Sequence, residues 1–300
     1  MDPCALPLRC LDPTATTRVP MPRFFGLFSL LYLTCACANA ANEAEEPAPP
    51  LWEFKLVAFG QNFPSYPASD DQNLTILPLP VPVYHGKFLR FGQDLEDLAE
   101  GQLFKNERLD LSLSMSAEFP ADSEDLSGRD GMPDLPFLFE AGPELKIQLK
   151  GNADAKRELG LSIQARAAMS LDGFDTKGRG FVFNPELEYL ARDLWGEDNE
   201  WRFRVSPTWA TSDYMDFSYG VADEFADIGR PAFDARSGYL NTEFLFGLNR
   251  QITDRLEFRG SVRLWVNNGA ANRDSSLYQR DINHGIRLAL FWTAWPRDPR

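Results

Sequence analysis

Two histidines, His85 and His284, are the only imidazoles in 300 residues. They limit what proton-transfer chemistry the chain can do near neutral pH. A lipase or deacylase at a lipid-facing rim would pair a histidine with a serine, and His284 with Ser275 or Ser276 is a conceivable combination without distinguishing context. Neither residue sits in a G-x-S-x-G, H-E-x-x-H or Walker context. A solitary histidine is more commonly a turn or lumen residue than a catalyst. The carboxylate stretches Asp94-Glu96-Asp97 and Asp122-Glu124-Asp125 offer oxygen ligands for a divalent cation. They lack the fixed spacing and the glycine of a calcium loop, so they read as solvated acidic loops. All four cysteines (Cys4, Cys10, Cys35, Cys37) fall within the first 37 residues. The remainder therefore holds no disulfide scaffold and no thiolate zinc site. The expectation is a chain with no catalytic, cofactor-binding or metal-binding residues.

What such residues would be mounted on begins after an export signal. Arg23 precedes an apolar run from Phe24 to Cys37, and Ala36-Cys37-Ala38 and Ala38-Asn39-Ala40 give two A-x-A cleavage sites. The run is shorter than the roughly 18 residues of a membrane-spanning helix, which favours a cleaved signal over an anchor. Cys35 lacks the small residue that usually precedes a lipoprotein cysteine. The signal is expected over residues 1–40, with Met21 as an alternative start. Residues 41–50 (ANEAEEPAPP) form an acidic, proline-ended tail. The net charge of −14 becomes −15 without residues 1–40. That disfavours nucleic acid as a partner, since phosphate binding needs basic patches.

From residue 51 onward the hydrophobic period is two. In Arg108 to Phe119 (RLDLSLSMSAEF), Leu109, Leu111, Leu113, Met115, Ala117 and Phe119 share one face, and Asp110, Ser112, Ser114, Ser116 and Glu118 the other. A helix would scatter them; a strand sorts them. Comparable alternation spans Phe137–Leu149, Leu159–Ser170, Phe181–Arg192, Trp201–Trp209 and Leu256–Val266. These runs are longer than the roughly 5–6 residues usual in soluble sheets, and match tilted membrane strands. Their polar faces carry full charges (Glu140, Glu144, Lys146, Arg166, Glu186, Glu188, Arg202, Arg204, Arg259, Arg263), suited to a wet lumen. Aromatic residues such as Trp52, Tyr189, Trp201, Trp209 and Trp292 gather at strand ends, as interfacial girdles do. The fold expected is all-β: an antiparallel transmembrane barrel of about 10–12 strands over residues 51–295, with a polar tail at 296–300. A soluble sandwich or lipocalin-like barrel is the competing reading, because alternation alone does not say what the apolar face meets.

The connections alternate too. Residues 105–108, 150–158, 192–200 and 249–255 are compact polar links, whereas 61–73, 120–136, 171–180 and 267–283 are longer. Short periplasmic turns and long external loops would produce this. Pro78, Pro80 and Pro82 argue against a regular central strand within 72–105, and 93–100 (QDLEDLAE) reads as a loop or one helical turn.

Several segments carry a family resemblance. Tyr66-Pro67-Ala68-Ser69-Asp70-Asp71, then Leu77-Pro78-Leu79-Pro80 and Tyr84-His85-Gly86-Lys87-Phe88, resemble the start of the MipA/OmpV family of outer-membrane proteins. So do Arg108–Phe119, Gly131-Met132-Pro133-Asp134-Leu135 and Gly142-Pro143-Glu144-Leu145, with looser matches at Tyr219-Gly220-Val221 and Gly238-Tyr239-Leu240. The order is kept over roughly 51–295. Two features depart from the pattern: Ala68 stands where the family commonly has glycine, and Pro296–Arg300 follows the last strand in place of a terminal aromatic residue. The resemblance implies residence in the outer membrane, contact with its lipids, and a scaffold role linking a lytic murein transglycosylase to a peptidoglycan synthase. A small-solute channel is the alternative function, and a lipid-modifying enzyme a second. No cofactor is expected.

Overall fold

The computed structural model describes residues 52–85, 89–91, 99–106, 108–152 and 155–293. The expected signal, the acidic tail, the C-terminal tail and Asp94-Glu96-Asp97 lie outside these residues. The chain from Pro49 onward is one compact unit.

Among the described residues, twelve antiparallel strands close into a barrel. They are β1 (Trp52–Pro64), β2 (Gln72–His85), β3 (Leu89–Phe91), β4 (Ala99–Lys105), β5 (Leu109–Glu118), β6 (Phe137–Lys150), β7 (Arg157–Asp172), β8 (Asp175–Arg192), β9 (Asn199–Ala210), β10 (Gly238–Thr253), β11 (Leu256–Val266) and β12 (Ile282–Thr293). Each pairs with its sequence neighbours, and β1 closes on β12 from Lys55↔Thr293 to Asn62↔Ile286. Trp52 and Thr293 therefore sit at the same end as the short turns. In a barrel crossing the outer membrane that end is periplasmic, and the long loops face outside.

The predicted alternation fixes which face meets what. On β12, Ile286, Leu288 and Leu290 are exposed outward, whereas Ala289 and Phe291 are buried. On β1, Trp52, Phe54 and Leu56 point out and Val57 and Phe59 point in. Outward aromatic residues gather near the two rims, Trp52, Tyr189 and Trp292 at the short-turn end and Phe181, Phe183 and Trp209 at the other. Between them the outward face is apolar, mostly aliphatic with Phe244 and Phe246 among it, as a hydrocarbon layer requires. None of the described helices is long and apolar enough to cross a membrane.

Three expectations need correction. The triple-proline stretch is a strand after all: β2 pairs with β1 without a break from Pro64↔Gln72 to Trp52↔Tyr84. In a strand, alternate residues direct their N–H groups to opposite edges. Pro78, Pro80 and Pro82 have the same parity, so their three missing donors fall on one edge, the one away from β1. Among the described residues that edge is paired only at Tyr84↔Phe91 and His85↔Arg90. The prolines thus cost the ladder nothing. Second, 171–180 is not a long link. Strands β7 and β8 run through it, joined at Gly173-Phe174, with Gly173 at φ 58°. Third, the longest connection, 211–237, carries helix α1 (Ser212–Tyr219), which the period-two reading does not anticipate. Of 93–100, residues 99–100 open β4, and the rest lies outside the described residues.

Candidate functional site

The outer end of the barrel is built by loops that fold inward rather than splay. Tyr66 and Ala68 from the β1–β2 connection, Leu126 from β5–β6, Tyr214, Met215 and Tyr219 from α1, and Leu277 from β11–β12 pack into one buried cluster. The cluster reaches down to Leu138, Val182 and Leu240 on the strands, so the cap is seated in the barrel mouth. Hydrogen bonds tie the cap loops together as well. The amides of Gln279 and Arg280 both donate to the Ala68 carbonyl at 2.9 and 3.0 Å. Gln279 accepts from the Asp70 amide at 2.8 Å and donates to the Ser127 carbonyl at 2.8 Å. Arg280 pairs with Asp70.

Ala68 shows what this packing costs. Its φ is 63°, a left-handed conformation that glycine adopts freely, and its side chain is fully buried (0 % exposed). An L residue there sacrifices about 1–2 kcal/mol. Its methyl group packs within the buried cap cluster. Burial also pushes the Tyr66 phenol up to about 12, partly offset by its hydrogen bond with Ser69 and by Arg129 nearby. Arg129 lies over the Tyr66 ring, 5.9 Å from its centroid, and burial lowers its own basicity.

Below the cap, the charged inner face foreseen in the sequence resolves into ion pairs, most of them between neighbouring strands and two along a single strand. Arg166 on β7 meets Glu140 on β6 at 2.9 Å. Arg204 on β9 meets Glu186 at 3.0 Å and Glu188 at 3.1 Å on β8, and Arg202 reaches Glu188 at 3.4 Å. Arg263 on β11 meets Glu243 on β10 at 3.2 Å, and Lys146 meets Glu144 at 3.5 Å. Arg259 pairs with Glu257 at 2.6 Å along β11. Glu144 also accepts from Ser162 at 2.6 Å and Gln164 at 3.0 Å. Among the described residues, opposite charges thus pair along and across strands instead of lining a field of one sign. Between this layer and the cap lies a cavity of about 500 Å³.

Gly142 has a positional reason. A Cβ there would stand 2.0 Å from the Ala165 carbonyl oxygen and 2.7 Å from Arg166 Cα. Only glycine lets β6 and β7 approach where Glu140 and Arg166 must meet.

The sequence-predicted chemical candidates are not drawn together. His284 faces outward on β12, opposite Leu264. Ser275 donates its hydroxyl to the Tyr219 carbonyl at 2.8 Å inside the cap. The hydroxyl of Ser276 is buried, with no hydrogen-bond partner among the described residues. His85 closes β2, paired with Arg90. Asp122, Glu124 and Asp125 flank and form a short 3-10 turn whose Ser123 amide is held by Asp134 at 2.7 Å. No group of metal-ligating side chains occurs among the described residues. Sequence reasoning missed Tyr214, whose hydroxyl donates to Glu140 at 2.9 Å and ties α1 to the lumen. The only signal was an aromatic residue in a segment without alternation.

Residues 57–294 match the family described as MltA-interacting protein MipA. The chain belongs to that family. No curated protein sequence matches it. Among solved structures, the MipA-family chain is similar to a NanC porin at 8% identity and a TM-score of 0.39, covering 80% of this chain and 98% of the porin. An outer-membrane channel from Pseudomonas putida F1 follows at 12% and 0.41, covering 84% and 99%. The outer membrane phospholipase A of Escherichia coli stands at 10% and 0.33, covering 80% and 92%. At these values no activity passes from them to this chain. With the family and the closed, apolar-faced sheet together, the protein is a β-barrel of the outer membrane.

Proposed function

We propose that this MipA-family barrel is an outer-membrane scaffold that holds murein-processing enzymes on its periplasmic side, not a solute channel. The observation that carries this is the capped mouth: a buried cluster drawn from four external loops seals the barrel above a lumen whose charges are paired. A barrel near 12 strands is wide enough to conduct or to be filled, and here side chains and loops occupy it. The family description names interaction with MltA, which supports a lytic transglycosylase as partner. A peptidoglycan synthase follows by family resemblance. Such partners would meet the periplasmic turns at 106–108, 151–156, 193–198 and 254–255.

Two measurements test the reading. Purified barrel in nanodiscs should bind a purified lytic transglycosylase saturably by surface plasmon resonance, and the protein in planar bilayers should give no steady conductance. Steady ion-conducting steps with no enzyme binding would replace the scaffold with the channel. Lipid hydrolysis that disappears in His284→Ala would point instead to the enzyme.

A further inference from the structure

The four periplasmic turns are not alike. Turns 106–108, 151–156 and 254–255 each hold one acidic and one basic residue, whereas 193–198 (DLWGED) holds three acids and no base. Among the described residues, it alone of the four carries non-glycine residues in the left-handed region. Asp193, Trp195 and Asp198 adopt φ of 54°, 57° and 63°. For a residue as bulky as tryptophan that is a rare outlier. Such conformations persist only where their surroundings enforce them, and here they do. The Asp193 amide donates to the Asn199 carbonyl at 2.7 Å, and the Asn199 side chain donates to the Trp195 carbonyl at 3.2 Å. The Trp201 indole donates to the Leu194 carbonyl at 2.7 Å.

The neighbouring β6–β7 turn completes a platform. Lys156 pairs with Asp193 at 2.9 Å, and the Arg192 amide donates to the Lys156 carbonyl at 2.9 Å. The guanidinium of Arg192 donates to the Ala155 carbonyl at 2.7 Å, and that of Arg157 to the Arg192 carbonyl at 2.6 Å. Trp195 stands on these two locked turns at 73 % exposure, against 51 % for Trp52 and 41 % for Trp292 at the same rim. Its ring meets Trp201 edge-on at 5.1 Å. Beside it, the carboxylates of Glu197 and Asp198 make no hydrogen bond or ion pair among the described residues. A girdle tryptophan would sink among phospholipid headgroups, but these carboxylates would then lie against lipid phosphates, like charge beside like. A solvent-facing indole flanked by free carboxylates suits a protein surface instead. Tryptophan is enriched among residues that carry binding energy, and a preorganised turn spares the cost of ordering it.

We propose that the β8–β9 turn is the point at which the periplasmic enzyme docks. Trp195 enters an apolar pocket on that enzyme, and Glu197 and Asp198 face basic residues around the pocket's rim. As a docking point it rests on the scaffold reading, which it narrows to one of the four turns.

The test uses the full-length barrel in nanodiscs and purified MltA, a lytic transglycosylase, by surface plasmon resonance. Trp195→Asn removes the ring and leaves a residue that tolerates the left-handed conformation. Affinity should then fall at least about thirtyfold, the loss of one dominant interface side chain. Glu197→Lys with Asp198→Lys should slow association at least about tenfold and flatten its salt dependence, whereas Asp254→Lys on the β10–β11 turn should change neither. Heat-modifiable gel migration shows that each variant is folded, and the lysine pair decides the matter if Trp195→Asn fails to fold. No binding by the native barrel would overturn the scaffold reading and this docking point together. Native binding that is unchanged in folded Trp195→Asn or in the lysine pair, or an effect of that pair matched by Asp254→Lys, would overturn the docking point alone. Strong quenching of the Trp195 emission (native minus Trp195→Asn) by phospholipids brominated near the headgroup would assign the ring to the membrane and overturn it too.

Discussion

Glu140 is the residue on which lumen and cap depend together, and replacing it should loosen both. It is only 5 % exposed and accepts from Arg166 at 2.9 Å, from Tyr214 at 2.9 Å and from Ser116 at 3.1 Å. Glu140→Ala leaves the Arg166 guanidinium without its carboxylate, a loss of about 3–5 kcal/mol for a buried pair broken on one side. The two hydroxyl donors are worth about 1–3 kcal/mol each when the acceptor is charged. These contributions share one acceptor and do not add, so about 3–5 kcal/mol in total is expected. Glu140→Gln keeps an acceptor for the hydroxyls and should cost less, about 2 kcal/mol. The double variant Glu140→Ala with Arg166→Met removes the stranded charge and should recover at least about 1 kcal/mol relative to additivity. The assay is urea unfolding in lipid vesicles, read by tryptophan fluorescence. Because Tyr214 belongs to α1, limited proteolysis within 211–237 should also quicken in Glu140→Ala. A cost below about 1 kcal/mol, or strict additivity in the double variant, would refute the assignment of Glu140 as the cap's anchor.

Gly142→Ala should fail to reach the heat-modifiable folded form in refolding gels, since its Cβ would meet the backbone of Ala165 and Arg166 rather than a movable side chain. Leu288→Arg, on the lipid face, should lower unfolding free energy in vesicles by about 2–4 kcal/mol. The Tyr66 phenol, raised to about 12, binds its proton more tightly folded than unfolded. The stability it contributes is complete below pH 10 and declines as pH rises toward 12. About 2–3 kcal/mol is lost across that window, and denaturation curves of Tyr66→Phe should show a correspondingly flatter alkaline dependence.

The barrel was legible because strand burial is written at period two. Leu109 to Phe119 and Phe137 to Leu149 alternate without ambiguity, and the strands fall where they alternate. What alternation does not encode is the edge of a strand. Pro78, Pro80 and Pro82 read as breakers because a proline's cost depends on whether its neighbour needs the missing donor, a property of topology rather than of sequence. The cap was hidden for a different reason. Tyr66, Tyr214, Tyr219 and Leu277 come from separate loops, and their joint burial has no local period. Charged lumen residues were named correctly, but the partners of Arg166, Arg204 and Arg263 lie on adjacent strands whose register only the fold supplies.

The central claim is a membrane barrel whose odd and even residues on β12 face lumen and lipid. Single nitroxide labels placed at Ile286, Arg287, Leu288, Ala289 and Leu290, in lipid vesicles, test it by electron paramagnetic resonance. After export the chain has no competing cysteine if the N-terminal segment is cleaved, and otherwise the four N-terminal cysteines are replaced by serine. Leu288 is 46 % exposed outward and Ala289 only 3 %. Oxygen accessibility should therefore peak at 286, 288 and 290 and dip at 287 and 289. Peaks at those positions for a water-soluble nickel chelate instead, or no alternation at all, would contradict the account.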